Sequence, residues 1–308
     1  MSGQLVYGCM GLGGGWSAEP LTTVDIDVAE RAVFAALDAG ITWFDQADIY
    51  RHGKSEAALG AVLARHSGLR ERIRIQTKCG IRLGENGLRS YYDLSRASIL
   101  ERVRGSLGRL GTDFVDILLM HRPDPLAEPE EIAAAFGELR EEGRVGALGV
   151  SNMSAAQMAH LQRSLDEPLV VNQLEMSLRK RDWVDAGVQV NHSGYGRFPE
   201  GTLEYCSANA VRVQAWGALA QGVYTGAGSE AEAGTTELVA KMASEKDTTP
   251  EAIVLGWLMR HPAGIEPVVG TTSPDRVLAC ADAPAQAAAM TRVEWYSLYL
   301  SARGEPLP

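Results

Sequence analysis

The sequence predicts a (β/α)₈ barrel, a TIM barrel, formed by a single domain over residues 1–308. Short apolar segments, often β-branched, alternate with segments of helical periodicity along nearly the whole chain. About eight strand-then-helix units occur without a change of composition, and this alternation is typical of a parallel sheet. A chain of 308 residues is within the range of barrels that form one domain.

The predicted strands follow one another at regular intervals. A piece near residues 4–10 is followed by ITWFDQ at 41–46, RIRIQTK at 72–78, FVDILLMH at 114–121, RVGALGVS at 144–151, LVVNQLE at 169–175, VRVQAW at 211–216 and EPVVGT at 266–271. Helical spacing of apolar residues connects them, as in VDIDVAERAVFAALDAG, ILERVRGSLGRLG and EEIAAAFGELREEG. Glycines that end such segments are typical of helix C-caps.

The main alternative to a barrel is a doubly wound open sheet. It lacks support because no GxGxxG turn follows the first strand. The glycine-rich run at 11–15 follows a candidate strand but does not lead directly into a helix. It is either a flexible turn or a backbone that lets a flat ligand approach closely. The least regular part, 184–203, has the length of a functional loop.

Composition excludes several classes of protein. The formal charge is 29 − 39 = −10, which disfavours a nucleic-acid partner. The four cysteines show no CxxC pair, so neither a metal site nor a disulfide framework is expected, and a reducing cytoplasm fits best. The N-terminus does not resemble a signal peptide. No segment has the roughly 18 apolar residues of a membrane-spanning helix, so no membrane association is expected.

Chemically capable side chains follow the predicted strands at the end where barrels carry their active sites. The second strand ends at Asp45, with Tyr50 five residues later, the third ends at Lys78 and the fourth at His121. Each comes after an apolar run. An Asp, a Tyr, a Lys and a His that converge on one face form a working acid–base site.

These motifs resemble those of the aldo-keto reductases. ITWFDQADIYRHGKSEAALG is similar to the family segment that holds its Asp and Tyr, and QTK, LLMH, GVSN and VNQLE follow in the family's order over roughly residues 5 to 280. The resemblance implies NAD(P)H-dependent reduction of an aldehyde or ketone, with Asp45, Tyr50, Lys78 and His121 as catalytic residues. Tyr50 would donate the proton, Lys78 would lower its pKa, Asp45 would hold Lys78, and His121 would orient the carbonyl.

The resemblance also implies a cofactor site for NADPH, with NADH possible. Its nicotinamide would contact Ser151, Asn152, Gln173 and Trp216. The pyrophosphate would lie against the segment Gly217, Ala218, Leu219 and Gly222, and the adenosine phosphate would contact Gly270, Thr271, Thr272, Ser273 and Arg276. Two departures weaken the preference for NADPH: many relatives have Lys at the position of Ser273 and Glu-Asn at the position of Ala279-Cys280.

Other interpretations stay open at this point. Lys78 and Asp45 could form only a structural ion pair, and His121 could be a satisfied strand-end histidine. A Lys at a strand end can also form a Schiff base, which would make the protein a lyase. A third possibility is a cofactor-binding regulatory subunit that senses redox state. Trp16, Tyr92 and Phe198 are candidates for the wall of the substrate pocket.

Overall fold

The computed structural model describes residues 4–17, 19–84, 87–190 and 198–308. Its strands are β1 (Val6–Gly8), β2 (Trp43–Asp45), β3 (Arg74–Cys79), β4 (Ile81–Leu83), β5 (Ser90–Tyr92), β6 (Val115–Met120), β7 (Val145–Ser151), β8 (Val171–Glu175), β9 (Arg212–Trp216) and β10 (Glu266–Val269). Eight of them are parallel and close in the order β1-β10-β9-β8-β7-β6-β3-β2. The predicted (β/α)₈ barrel is therefore confirmed.

Helices surround this barrel. They are α1 (Thr23–Asp38), α2 (Lys54–Arg65), α3 (Leu69–Arg72), α4 (Arg96–Leu110), α5 (Pro129–Glu141), α6 (Ala155–Gln162), α7 (Asp182–Val188), α8 (Thr202–Ala208), α9 (Ala233–Glu245), α10 (Pro250–Met259), α11 (Pro274–Leu278), α12 (Ala283–Ala289) and α13 (Arg292–Arg303). Hydroxyl side chains cap several of them: Thr22 forms a capping box with Asp25 at the start of α1, and Ser95 accepts from the backbone of Ser98 in α4.

The strands are short and buried, as expected of a sheet covered on its outer face by helices. In β6, five of the six residues of VDILLM are fully buried. The barrel closes where β1 meets the last strand, with Val6 opposite Val268 and Tyr7 opposite Val269. On its other side, Gly8 is opposite Asp45 of β2. The carboxyl ends of all eight strands therefore meet around one opening.

Two regions differ from the expectation. An antiparallel hairpin, β4 with β5, is inserted between β3 and α4, and its short strands carry no long apolar run that could have identified it. The segment 184–203 is not all loop, because helix α7 enters it and α8 begins at Thr202. Residues 191–197 of that segment lie outside the described residues.

Within the described ranges, no helix combines the length and apolar character needed to cross a bilayer. The same part of the chain contains no cluster of three or more His, Cys, Asp or Glu side chains suited to hold a metal ion. All four cysteines are buried free thiols.

Candidate active site

The ammonium of Lys78 is the centre of the candidate site. Its Nζ atom lies 2.7 Å from each carboxylate oxygen of Asp45, 2.9 Å from the backbone oxygen of Gln46 and 3.1 Å from the hydroxyl of Tyr50. Lys78 and Asp45 are 1% and 2% exposed. A buried ion pair of this kind is tolerated because hydrogen bonds satisfy both charged groups. The structure thus brings three of the four predicted catalytic residues into direct contact.

A strained turn carries Tyr50 to this position. The short helical segment Tyr50–Gly53 has positive φ angles at Arg51 (52°), His52 (57°) and Gly53 (85°). Residues other than glycine adopt this conformation at a cost and keep it only where the surroundings impose it. Arg51 Nε donates to the backbone oxygen of Met10 at 3.0 Å, and its guanidinium lies 5.2 Å from the centroid of the Trp16 ring. These contacts hold the turn from outside.

His121 is the first residue after β6. Its backbone N–H donates to the oxygen of Cys79 at 2.9 Å, which continues the ladder between β6 and β3. Its ring meets that of Tyr50 edge-to-face, with centroids 6.0 Å apart. The Nδ1 atom is buried and has no hydrogen-bond partner among the described residues. His121 therefore lies against the Tyr50 ring, and its Nδ1 atom is available for a further hydrogen bond.

Burial dominates the protonation of these groups. Burial raises the pKa of Tyr50, and the nearby Lys78 cation offsets only part of that rise. For Lys78, burial alone would lower the pKa, but Asp45 and Tyr50 outweigh it and the pKa is raised. Burial, Lys78 and Arg122 hold the pKa of His121 well below its ordinary value. Lys78 thus lowers the pKa of Tyr50, as expected, but burial outweighs this contribution and the net shift is upward.

A layer of buried polar side chains lies inside the barrel next to Asp45. It consists of Gln76, Gln173, Gln214 and Glu266, all less than 10% exposed. Strand register makes them neighbours: Asp45 is opposite Gln76, and Gln173, Gln214 and Glu266 are opposite one another in turn. Of these, only Gln173 was expected from the sequence. The available signal was a Gln in the middle of each of the apolar strands RIQTK and VRVQAW.

The residues assigned to the nicotinamide bond to one another. Ser151 Oγ donates to the backbone oxygen of Gln173 at 2.9 Å and accepts from Asn152 Nδ2 at 2.7 Å. Trp216 Nε1 donates to Asn152 Oδ1 at 3.1 Å, and the guanidinium of Arg122 lies 5.7 Å from the centroid of the Trp216 ring. Asn152 adopts a φ of 59° at the end of β7. The four predicted residues are therefore one connected group beside Asp45.

The two segments assigned to the phosphates also come together. A Cβ atom placed on Gly222 would lie 3.1 Å from Nη2 of Arg276, and its φ of 84° favours glycine. The hydroxyl of Tyr7 donates to the backbone oxygen of Thr271 at 2.8 Å, and the backbone N–H of Ser273 donates to the hydroxyl of Thr271 at 3.2 Å. The other residues of these segments are Gly217, Ala218, Leu219, Gly270 and Thr272, which follow β9 and β10.

The candidate pocket residues differ in exposure. Trp16 and Tyr92 are 48% and 42% exposed, whereas Phe198 is partly buried against the hydrophobic core. Trp16 is anchored by Arg51 and by an edge contact with His52, whose ring centroid is 6.0 Å away. The Trp16 side chain therefore packs on the turn that carries Tyr50.

The site joins a tyrosine hydroxyl, a lysine ammonium and a buried carboxylate by hydrogen bonds at the carboxyl end of a closed parallel barrel. Enzymes of this architecture place their active sites there, and these groups are suited to acid–base catalysis. The comparison with known proteins makes this more specific. The model of the aldo/keto reductase family matches residues 4–289. The chain therefore belongs to the aldo/keto reductase family, and this membership supports the oxidoreduction of carbonyl compounds.

Individual relatives agree with this assignment. The chain is 36% identical to a 6-dehydroglucose reductase from Agrobacterium fabrum, over 98% of this chain and 95% of that protein. It is 34% identical to a 6-dehydroglucose reductase from Novosphingobium aromaticivorans, over 91% of this chain and 87% of that protein. The fold is similar to that of an aldo-keto reductase from Klebsiella pneumoniae in complex with NADPH, with a TM-score of 0.76, 23% identity and coverage of 100% and 97%.

Proposed function

We propose that the protein reduces an aldehyde or ketone to an alcohol with NADPH as the hydride donor and Tyr50 as the proton donor. The observation that carries this proposal is the contact of Lys78 Nζ with both oxygens of Asp45 at 2.7 Å and with the Tyr50 hydroxyl at 3.1 Å. Hydride addition to a carbonyl carbon leaves negative charge on its oxygen. The buried cation and the tyrosine hydroxyl are the groups that can stabilise and then protonate that oxygen.

Each catalytic residue has one task in this proposal. Tyr50 keeps its proton at neutral pH, because burial raises its pKa, and it can therefore donate that proton to the substrate oxygen. After donation, the phenolate oxygen is stabilised by the hydrogen bond from Lys78 Nζ. Asp45 keeps the ammonium in place and offsets its charge. His121, neutral because its pKa lies well below its usual range, can hydrogen-bond the substrate oxygen without adding a charge.

The residues of the proposed cofactor site fit NADPH in two respects. Ser151, Asn152 and Gln173 provide hydroxyl and amide groups suited to a carboxamide. Arg276 lies against Gly222, so the groups assigned to the pyrophosphate and to the adenosine phosphate are adjacent. When bound, the cofactor would supply the hydride. The chain itself would hold the carbonyl oxygen against Tyr50 and His121.

Sugar-derived aldehydes are the substrate class we infer. The inference rests on the two 6-dehydroglucose reductases that are 36% and 34% identical over most of both chains. We propose 6-dehydroglucose as the first substrate to test, with benzaldehyde as a generic carbonyl.

The hydrogen bonding of Lys78 disfavours a Schiff-base lyase. A lysine nucleophile needs a free amine, which enzymes obtain by lowering its pKa. Here the pKa of Lys78 is raised, and Asp45, Gln46 and Tyr50 all accept from its ammonium. Borohydride trapping with substrate would label Lys78 in a lyase and leave it unlabelled in a reductase.

Tyr50→Phe tests the proposal. It keeps the ring and removes the proton, so kcat should fall by at least about 10²-fold, the low end of general-acid contributions. The measurement is NADPH oxidation followed by absorbance, with the cofactor dissociation constant determined in parallel by titration. That constant should stay within a factor of about two. A kcat within a few-fold of wild type would remove Tyr50 from the mechanism. If the wild-type protein binds NADPH but does not oxidise it with any carbonyl tested, that result would favour a regulatory subunit.

A further inference from the structure

The carboxylate of Asp45 is held by more than its ion pair. Its Oδ1 atom accepts hydrogen bonds from Lys78 Nζ at 2.7 Å, from Gln76 Nε2 at 2.6 Å and from Gln173 Nε2 at 3.0 Å. The Oδ2 atom accepts from Lys78 Nζ. Bonds to a charged acceptor are about twice as strong as those between neutral groups. The amides of Gln76 and Gln173 therefore fix the orientation of the Asp45 carboxylate, and that carboxylate in turn attracts the Lys78 ammonium.

Gln214 receives the remaining amide hydrogens of this layer. Gln76 Nε2 donates to Gln214 Oε1 at 2.7 Å, and Gln173 Nε2 donates to the same oxygen at 3.1 Å. Gln214 Nε2 donates to Gln76 Oε1 at 3.1 Å and to Glu266 Oε2 at 3.2 Å. Each amide nitrogen carries two hydrogens. Every hydrogen of the three amides thus has a partner.

The carboxylates at the two ends of this layer determine which way each amide faces. An ionised carboxylate only accepts hydrogen bonds. Gln76 must present its N–H to Asp45, because its oxygen would otherwise face a carboxylate oxygen at 2.6 Å. Glu266 likewise requires the N–H of Gln214, and Arg212 Nη1 lies 3.4 Å from the same Glu266 oxygen. The arrangement has one orientation that leaves no hydrogen unpaired.

We propose that Gln76 is a positioning residue of the reaction: oriented by Gln214 and Glu266, it holds Asp45 so that Lys78 is directed at Tyr50. The inference rests on the proposed function, because it gives Asp45, Lys78 and Tyr50 their catalytic tasks. Gln76 is fully buried and acts only through Asp45. Its loss should therefore change the chemical step and leave the binding of substrate and cofactor nearly unchanged.

Gln76→Met keeps the length of the side chain and removes the hydrogen bonds. We expect kcat with benzaldehyde and NADPH to fall by about tenfold to a hundredfold, the equivalent of one charge-assisted hydrogen bond. The KM for benzaldehyde and the dissociation constant for NADPH should change less than about twofold. Gln286→Met is the matched control: Gln286 in α12 is also buried, at 9% exposure, and it donates to Asp282, the residue before that helix. It should keep wild-type kcat.

Gln76→Glu separates positioning from packing. When protonated, the new carboxyl group can donate to Asp45 as the amide does, and when ionised it repels that carboxylate. The charged groups facing this position are Asp45 and Lys78 at one end and Glu266, beyond Gln214, at the other. The ratio of variant to wild-type kcat should therefore rise as the pH falls. A ratio that rises with pH, or Gln76→Met with kcat within twofold of wild type, would overturn the proposal.

A third readout does not require turnover. The ionisation of Tyr50 can be followed by ultraviolet absorbance as the difference between a protein and its Tyr50→Phe variant. A less well directed Lys78 stabilises the phenolate less, so Tyr50 should titrate at higher pH in Gln76→Met than in wild type. An unshifted titration contradicts the positioning role even if no carbonyl is reduced. Absence of carbonyl reduction together with a shifted titration would instead defeat the proposed function alone.

Discussion

The charge state of three side chains determines when the site can work. Reduction needs a protonated Tyr50, a charged Lys78 and, in our proposal, a neutral His121. Burial raises the pKa of Tyr50 above 10.0, Asp45 and Tyr50 hold that of Lys78 above 10.5, and burial with nearby cations lowers that of His121 below 6.5. Proton loss from Tyr50 and Lys78 is therefore shifted to higher pH than for the free side chains, and protonation of His121 is shifted to lower pH.

We therefore expect kcat for reduction to be constant around neutral pH, with the midpoints of its acidic and basic limbs outside the range from pH 6.5 to pH 10.0, the ordinary pKa values of His and Tyr. The measurement is kcat at saturating NADPH and benzaldehyde across that range. Activity should fall only as the pH rises through the raised pKa of Tyr50 or drops through the lowered pKa of His121. A titration limb in the middle of this range would show that another group, or a less buried Tyr50, controls the step.

The residue types of the candidate site were predictable from the sequence, but the pKa shifts of their side chains were not. Asp45 and Lys78 end apolar strands, and strand ends of a parallel barrel meet, so their proximity followed from position in the chain. Gln76 precedes Lys78 by two residues in the same strand, so the two side chains share a face, but the hydrogen bonds of Gln76 depend on residues of other strands, Asp45 and Gln214. The rise in the pKa of Tyr50 depends on how completely the fold removes water, which no local pattern encodes.

At the scale of elements, the segment from β10 into α11 carries the groups that we propose to bind the adenosine phosphate. Arg276 offers a planar cation, and Gly222 leaves room for its guanidinium. The resemblance to the aldo-keto reductases implies a Lys at the position of Ser273 in many of them, and Asp275 adds a negative charge nearby in the sequence. The segment therefore supports a preference for NADPH that is smaller than with that Lys.

Substitutions in this segment should change NADPH binding and leave NADH binding unchanged. Arg276→Ala removes a charge-assisted contact to the phosphate, so NADPH affinity should fall by about tenfold to a hundredfold. Ser273→Lys should tighten NADPH selectively. Titration of both cofactors measures each effect, with Arg163→Ala, an exposed arginine after α6, as the charge-matched control. Equal affinities for the two cofactors in wild type, unaffected by Arg276→Ala, would mean that this segment does not recognise the phosphate.

The existence of the barrel elements was predictable, but their limits and additions were not. The strand predicted over 41–46 is Trp43–Asp45 in the structure, the three residues that pair with both β1 and β3. The β4–β5 hairpin has half-exposed residues and no apolar run. Helix α7 lies in the segment predicted as a loop because Trp183 and Val184 pack into the core, a tertiary contact.

At the scale of the whole molecule, helix α13 packs against helix α10 through a pair of tryptophans. The rings of Trp257 and Trp295 stack with centroids 5.0 Å apart, and each indole N–H donates to the backbone oxygen of the other residue at 3.0 Å. Trp257 is fully buried in α10. This contact is remote in the chain from the candidate catalytic residues, so stability and activity can be tested separately.

Trp295→Ala should lower the free energy of unfolding by about 2–4 kcal/mol, because it removes a half-buried ring and its hydrogen bond. Denaturant unfolding measures the loss, and kcat of the folded variant should stay within about twofold of wild type. Val293→Ala, on the same helix but 75% exposed, is the control and should change stability by less than about 0.5 kcal/mol. A large fall in kcat would show that α13 also shapes the site.

The seam between the first and last strands has a consequence for synthesis of the protein on the ribosome. Gln4 donates to Glu266, 262 residues later, and β1 pairs with β10 beside them. At about 5–20 residues per second, the first strand waits roughly 13–50 s for its final neighbour to emerge. Asp45, Tyr50, Lys78 and His121 are all translated within the first half of that wait. The nascent chain thus holds its reactive groups long before the strand that closes the wall around them exists, and an open β1 edge during this interval is the surface that a chaperone would need to protect.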